Sequence, residues 1–119
     1  MAYNPKNAKE QPTLPPDTIF TGVIIGIKDG KVKDFVKNID KWTGDIEQAA
    51  INMEIEVLHN DRKYNTEQLF TYNEEDGKTV YSPKSNLGKF KAKYNKLPEV
   101  GDQLKLLTNN EGFLKLKLD

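Results

Sequence analysis

Leucines at positions 104, 106, 114, 116 and 118 alternate with polar residues, and Asn109-Asn110-Glu111-Gly112 interrupts the run. A period of two places alternate side chains on one face of a strand. This stretch therefore predicts an antiparallel hairpin that is buried on one side only. Such a hairpin needs more sheet to cover it, and further strands are legible upstream. Ile51, Met53, Ile55 and Val57 alternate with Asn52, Glu54 and Glu56, which predicts a strand over 51–58 with the apolar set inward. His59-Asn60-Asp61 reads as a turn, residues 63–72 as a third strand, and Asp76-Gly77 as the centre of another turn.

The first strand is expected over residues 19–28. Val23, Ile25 and Ile27 share one face, while Phe20, Gly22, Ile24 and Gly26 share the other. Glycine inside a strand suits a sharp bend or a close backbone approach, as the first strand of a small barrel requires. Beyond Asp29-Gly30, residues 32–36 are expected to resume extended structure, and 37–48 to form a loop around Trp42. One helix is predicted. Ser82 is its N-cap with Pro83 at the first helical position, or Ser85 is the cap instead. Leu87, Phe90, Tyr94 and Leu97 form its apolar stripe, Lys89, Lys93 and Lys96 lie on the other side, Gly88 weakens the first turn, and Pro98 ends it. Residues 1–16 hold Pro5, Pro12, Pro15 and Pro16 among small and polar residues, and are expected to be a disordered tail ahead of a domain over 17–119.

Three strands, a helix and two strands is the element order of the OB-fold, a mostly β, five-stranded Greek-key barrel with one helix between strands three and four. Pro98-Glu99-Val100-Gly101-Asp102-Gln103-Leu104 resembles the V-G-D lead-in to the fourth strand of many OB-domains. The glycine-bearing first strand and Gly112-Phe113-Leu114 are similar to those of single-stranded DNA-binding domains of the replication protein A type. This resemblance spans residues 17–119. It implies sequence-tolerant binding of single-stranded DNA or RNA, DNA before RNA, with replication or repair proteins as further partners and no cofactor.

Composition bears on those partners. The net charge is zero, yet residues 1–76 hold nine basic and fourteen acidic side chains and residues 77–119 hold nine and four. Either the halves interleave and the charges mix, or one face is charged. Arg62 is the only arginine beside seventeen lysines, which argues against base-specific readout by guanidinium forks. An AT-rich coding sequence is the favoured account of the lysine excess itself. The chain has no cysteine, hence no disulfide or thiolate site, and no apolar stretch of membrane-spanning length. A cytoplasmic location and no membrane partner are expected.

Catalytic equipment is sparse, so an enzyme is not expected. His59 is the sole histidine and lies in a turn. Ser82 and Ser85 lack a nucleophile-elbow context, no glycine-rich phosphate loop occurs, and Glu74, Glu75 and Asp76 cluster on a turn without the calcium-loop pattern. Binding has more candidates. Trp42 could stack on a base or serve as a packed anchor, with Lys33, Lys37 and Lys41 nearby to meet phosphates. Tyr64, Phe70 and Tyr72 share one parity on the third strand. Facing outward they form a stacking platform and bury Glu67; facing inward they join the core and bury Thr66 and Gln68. Outward-pointing Glu54 and Glu56 oppose a phosphate backbone, and the five lysines of residues 84–96 belong to the helix. An OB-fold used only for protein contact is the competing expectation.

Overall fold

A computed structural model describes residues 3–8 and 13–118. Its main sheet contains β1 (Ile19–Lys31), β2 (Ala49–His59), β3 (Arg62–Thr71), β6 (Gln103–Thr108) and β7 (Leu114–Leu116). The hydrogen-bonded order is β3-β2-β1-β6-β7, with every neighbouring pair antiparallel. Strands β3 and β7 approach one another without sharing a ladder, so the sheet curls into a nearly closed, OB-like barrel. A short hairpin of β4 (Asn73–Glu75) and β5 (Lys78–Val80) follows β3, and the main helix α2 (Asn86–Tyr94) stands between the third and fourth barrel strands.

Strand β1 pairs with β6 through residues 19–23 and with β2 through residues 22–31, so it changes partners around Gly22. A Cβ on Gly22 would lie 2.5 Å from Leu106 Cδ1 and 2.8 Å from Ile55 Cγ2, two core side chains that close over it. The register with β2 then slips between Ile24 and Gly26. This bulge at Ile25 reverses the parity of the strand. Gly22 and Ile24 face inward before it, Ile27 packs against the core after it, and Ile25 itself is exposed.

Two turns follow local chemistry. Asn60-Asp61 and Asp76-Gly77 all have positive φ and close two-residue hairpins, the conformation that asparagine, aspartate and glycine tolerate best. Asp76-Gly77 thus carries a paired hairpin rather than a bare turn. Residues 32–36, expected to be extended, instead begin with a one-turn helix, α1 (Val32–Phe35). The Lys31 N–H donates to Asp34 Oδ2 (2.9 Å), and the Val32 N–H donates to the Gln48 carbonyl (3.0 Å), so the chain bends back onto β2.

The core joins Ile24, Met53, Ile55 and Val57 to Phe70, Tyr72, Leu104 and Leu106, and α2 adds Leu87 and Phe90. Tyr94 and Leu97 continue the helix stripe as partly buried neighbours. Of the two candidate caps, Ser85 fills the role: its Oγ accepts the Gly88 N–H (3.1 Å). Ser82 Oγ accepts the Lys84 N–H (3.1 Å) in the turn before. The helix stops at Asn95, whose left-handed backbone (φ 60°) caps it before Pro98 is reached.

Packing begins ahead of Asp17. Leu14 is buried beside a cleft of about 360 Å³ lined by Tyr64 and Thr66 of β3 and by Phe113 and Leu114 at the start of β7. Thr108, fully buried, donates from its hydroxyl to the Pro15 carbonyl (2.6 Å) and accepts the Thr18 N–H (3.0 Å). Residues 13–16 are therefore strapped across the open seam between β3 and β7. Asn4 caps a 3-10 turn at Pro5–Asn7, while the tail expected to be disordered lies, at residues 1, 2 and 9–12, outside the described residues.

Alanine is a better helix former than glycine by about 1 kcal/mol. A Cβ at Gly88, however, would collide with the Ser82 carbonyl oxygen and lie 2.7 Å from Pro83 backbone atoms. Gly88→Ala should therefore destabilise the domain by about 1–3 kcal/mol in a urea melt. Thr108→Val keeps the shape but leaves the Thr18 N–H and the Pro15 carbonyl without this partner. It should cost about 1–3 kcal/mol and make residues 13–16 more susceptible to limited proteolysis.

Candidate functional site

The β1–β2 loop, residues 32–48, has a tied stem and an open tip. At the stem Val32 is fully buried, the Lys33 N–H donates to the Ile46 carbonyl (3.0 Å), and Glu47 receives Lys31 Nζ (2.8 Å) and Lys33 Nζ (2.7 Å). Hydrogen bonds from these two lysines hold the Glu47 carboxyl down to about 2. The tip is a 3-10 turn, Ile39–Lys41, closed by the Trp42 N–H on the Ile39 carbonyl (3.0 Å). Trp42 follows it with 37% of its surface exposed, and its indole Nε1 passes over Gly44. Lys37 and Lys41 are exposed on the same tip and form no ion pair with any described residue.

The candidate binding residues therefore separate. Trp42, Lys37 and Lys41 are all exposed in this one loop, whereas Lys33 is held by Glu47. On β3 the inward arrangement is the one adopted. Phe70 (2% exposed) and Tyr72 (8%) are core residues, and Tyr64 is partly buried against the core. The Phe70 ring meets Phe90 of α2 edge-on at 6.3 Å. No outward aromatic platform exists on β3 in this conformation, and Glu67 is exposed while Thr66 and Gln68 are half-buried. Burying two neutral polar groups near a barrel rim costs less than burying a carboxylate.

Tyr72 has a second contact. Its hydroxyl donates to Asp29 Oδ1 (2.6 Å) at the wall of a cavity of about 660 Å³ between the end of β1, residues 45–49 and residues 72–74. Asp45, Glu47 and Glu74 also line it, with Lys31, so its walls are predominantly acidic and unsuited to phosphate. No group of three or more histidine, aspartate or glutamate side chains among the described residues could hold a metal ion. His59 is edge-on to Phe20 at 5.3 Å and within 3.2 Å of Asn60 Nδ2. Ser82 and Ser85 are engaged in the caps already described. Among the described residues, no helix is long and apolar enough to cross a membrane.

Features of the sheet exterior escaped the sequence. Glu54 of β2 stands directly opposite Glu67 of β3, and Phe113, beside Lys115, is 64% exposed. The Leu–Lys alternation of residues 114–118 already implied outward lysines. The pairing of Glu54 with Glu67 needed the register.

No family model matches the chain, and neither a curated protein nor a solved structure matches it.

Hydrogen bonding to Asp29, followed by burial, pushes the Tyr72 hydroxyl up to about 12 from an ordinary value near 10. The neutral phenol is the form favoured by folding. Its contribution is complete below pH ~10 and lost as the pH rises through about 12. Ultraviolet titration should show the Tyr72 phenol ionising late, and Asp29→Asn should bring its ionisation back toward the ordinary value near 10.

Proposed function

We propose that this domain binds single-stranded nucleic acid, DNA before RNA, through the tip of its β1–β2 loop, and that it is a binding module rather than an enzyme. The observation that carries this reading is the exposed Trp42 in one loop with exposed Lys37 and Lys41, neither of which forms an ion pair with a described residue, on a loop whose stem is clamped. A clamped stem lowers the ordering cost of binding, since the ring is presented before the ligand arrives. Trp42 stacks on a base without regard to its identity, and the two lysines contact phosphates as point charges. The resemblance of the glycine-bearing first strand and of Gly112-Phe113-Leu114 to replication protein A-type domains favours DNA, and replication or repair proteins are the fitting partners.

The site is small. Two phosphate contacts on a single strand give a log–log salt slope of about −1.4, at roughly −0.7 per contact. Titrating oligo-dT should quench Trp42 fluorescence with that shallow salt dependence. Trp42→Ala should weaken binding by about 5- to 150-fold, the equivalent of one stacked base. The reading fails if low salt produces neither quenching nor a change in oligonucleotide anisotropy.

A second reading, protein contact, is favoured by the Glu54–Glu67 pair in the middle of the β2–β3 exterior, where a phosphate backbone would be repelled.

A further inference from the structure

The exterior of β6–β7 carries a like-charge pair of its own. The Lys117 N–H donates to the Lys105 carbonyl (3.1 Å), one step past the Leu106–Leu116 pair, so the two lysines stand opposite each other. Lys115 shares their face, opposite Leu107. Lys105 Nζ donates to Thr21 Oγ1 (2.8 Å), and none of the three lysines has a carboxylate partner among the described residues. On the other flank of β1, the β2–β3 exterior has Glu54 opposite Glu67, with Glu56 on the same face. Lys28 lines a small cleft with the facing pair, and Lys63 stands opposite Leu58. Yet among the described residues none of the three glutamates forms an ion pair, and Glu54 accepts a long hydrogen bond from Asn65 Nδ2 (3.4 Å).

Like charges directly opposite one another destabilise a sheet. This chain has such a pair on each flank, of opposite sign, within a net charge of zero. Exposed apolar side chains border both: Ile19 (53%), Leu107 (39%) and Phe113 (64%) beside the lysines, and Leu58 (65%) on the β2 exterior. Each surface offers what the other lacks. We propose that the acidic β2–β3 face of one copy docks on the lysine face of β6–β7 of a second copy. The proposal stands independently of single-strand binding. The two faces differ, so the contact is heterologous. Every added copy leaves one face of each kind free, and assembly continues until it closes as a ring or runs on as a filament.

Sedimentation velocity on the full chain, without oligonucleotide, tests this. At low salt (about 20 mM) the weight-average mass should climb with concentration beyond a dimer, and high salt (about 500 mM) should return it to the 13.6 kDa monomer. K105E/K117E has two acidic faces and E54K/E67K two basic ones. Each should remain monomeric alone, and an equimolar mixture should associate again. The single variant K115E should weaken self-association by about tenfold or more. Circular dichroism checks the fold, and the wild-type salt series together with K115E decides the matter if a double variant does not fold. The proposal is overturned if the wild type stays monomeric at low salt, if the variants associate like wild type, or if the mixture of two folded variants does not associate. It also falls if K105E/K117E loses oligo-dT affinity while the wild type alone remains monomeric, since the lysines would then serve nucleic acid. Trp42→Ala should weaken oligo-dT binding, read by the anisotropy of the labelled oligonucleotide because no tryptophan remains, without changing sedimentation, which separates the failure of either reading from that of the other.

Discussion

The barrel depends on one strand being hydrogen-bonded along both edges while it bends. β1 runs for thirteen residues, pairing first with β6 and then with β2, and the exchange occurs at Gly22, where Leu106 and Ile55 from its two neighbours meet above the backbone. Any side chain there would hold those two apart, and β6 could not curl toward β2. The bulge at Ile25 completes the bend by spending one residue on the outside. Ile24 and Ile27 can then both face the core although they have opposite parity. Without the bulge, the second half of β1 would turn Ile27 and Asp29 outward, and the Asp29–Tyr72 hydrogen bond that joins β1 to the end of β3 would be lost.

Where a strand obeyed a single period, its place was legible before any coordinates. The inward set of β2, the closing hairpin and the Leu87–Phe90–Tyr94–Leu97 stripe all follow from spacing and burial on one side. Legibility ended where tertiary contacts override local pattern. β1 has apolar residues on both faces because its parity reverses midway, so no fixed period describes it. Val32 and Val36 have strong strand propensity, yet Asp34 closes a helical turn by accepting a backbone N–H, and burial of Val32 holds it there. Leu14 lies among prolines and carries no periodic signal at all. Its environment comes from Tyr64 and Phe113, residues distant in the chain.

The candidate site was legible to the same extent and for the same reason. A tryptophan in a polar, turn-rich segment reads directly as a loop residue, and Trp42 is one. The availability of a nearby lysine is different, because it depends on what lies across the loop. Glu47 is fourteen residues from Lys33, and the return of the chain at Gln48 brings them together. The orientation of β3 likewise turned on a comparison of costs: an exposed Glu67 with Phe70 against Phe90, or a platform of rings with a carboxylate in the core. Packing on the helix and desolvation of the carboxylate both favour the first arrangement.

Charge shows most clearly why a total says little about a surface. The two halves of the sequence have opposite net charges, and a barrel can mix them or keep them apart. Here the connectivity keeps them apart. β2 and β3 come from the acidic half and lie on one side of β1, while β6 and β7 come from the basic half and lie on the other. Each like-charge pair costs only about 0.2–1 kcal/mol, so the isolated domain tolerates both. The loop that displays Trp42 leaves β1 at its Lys31 end and contains none of the residues of either pair. A strand held at that tip and a second copy held by the sheet exteriors would therefore occupy different parts of the molecule. Contact with neighbouring copies could then add to the affinity of each domain for a shared strand, because binding to the same ligand raises the effective concentration of one copy near the next.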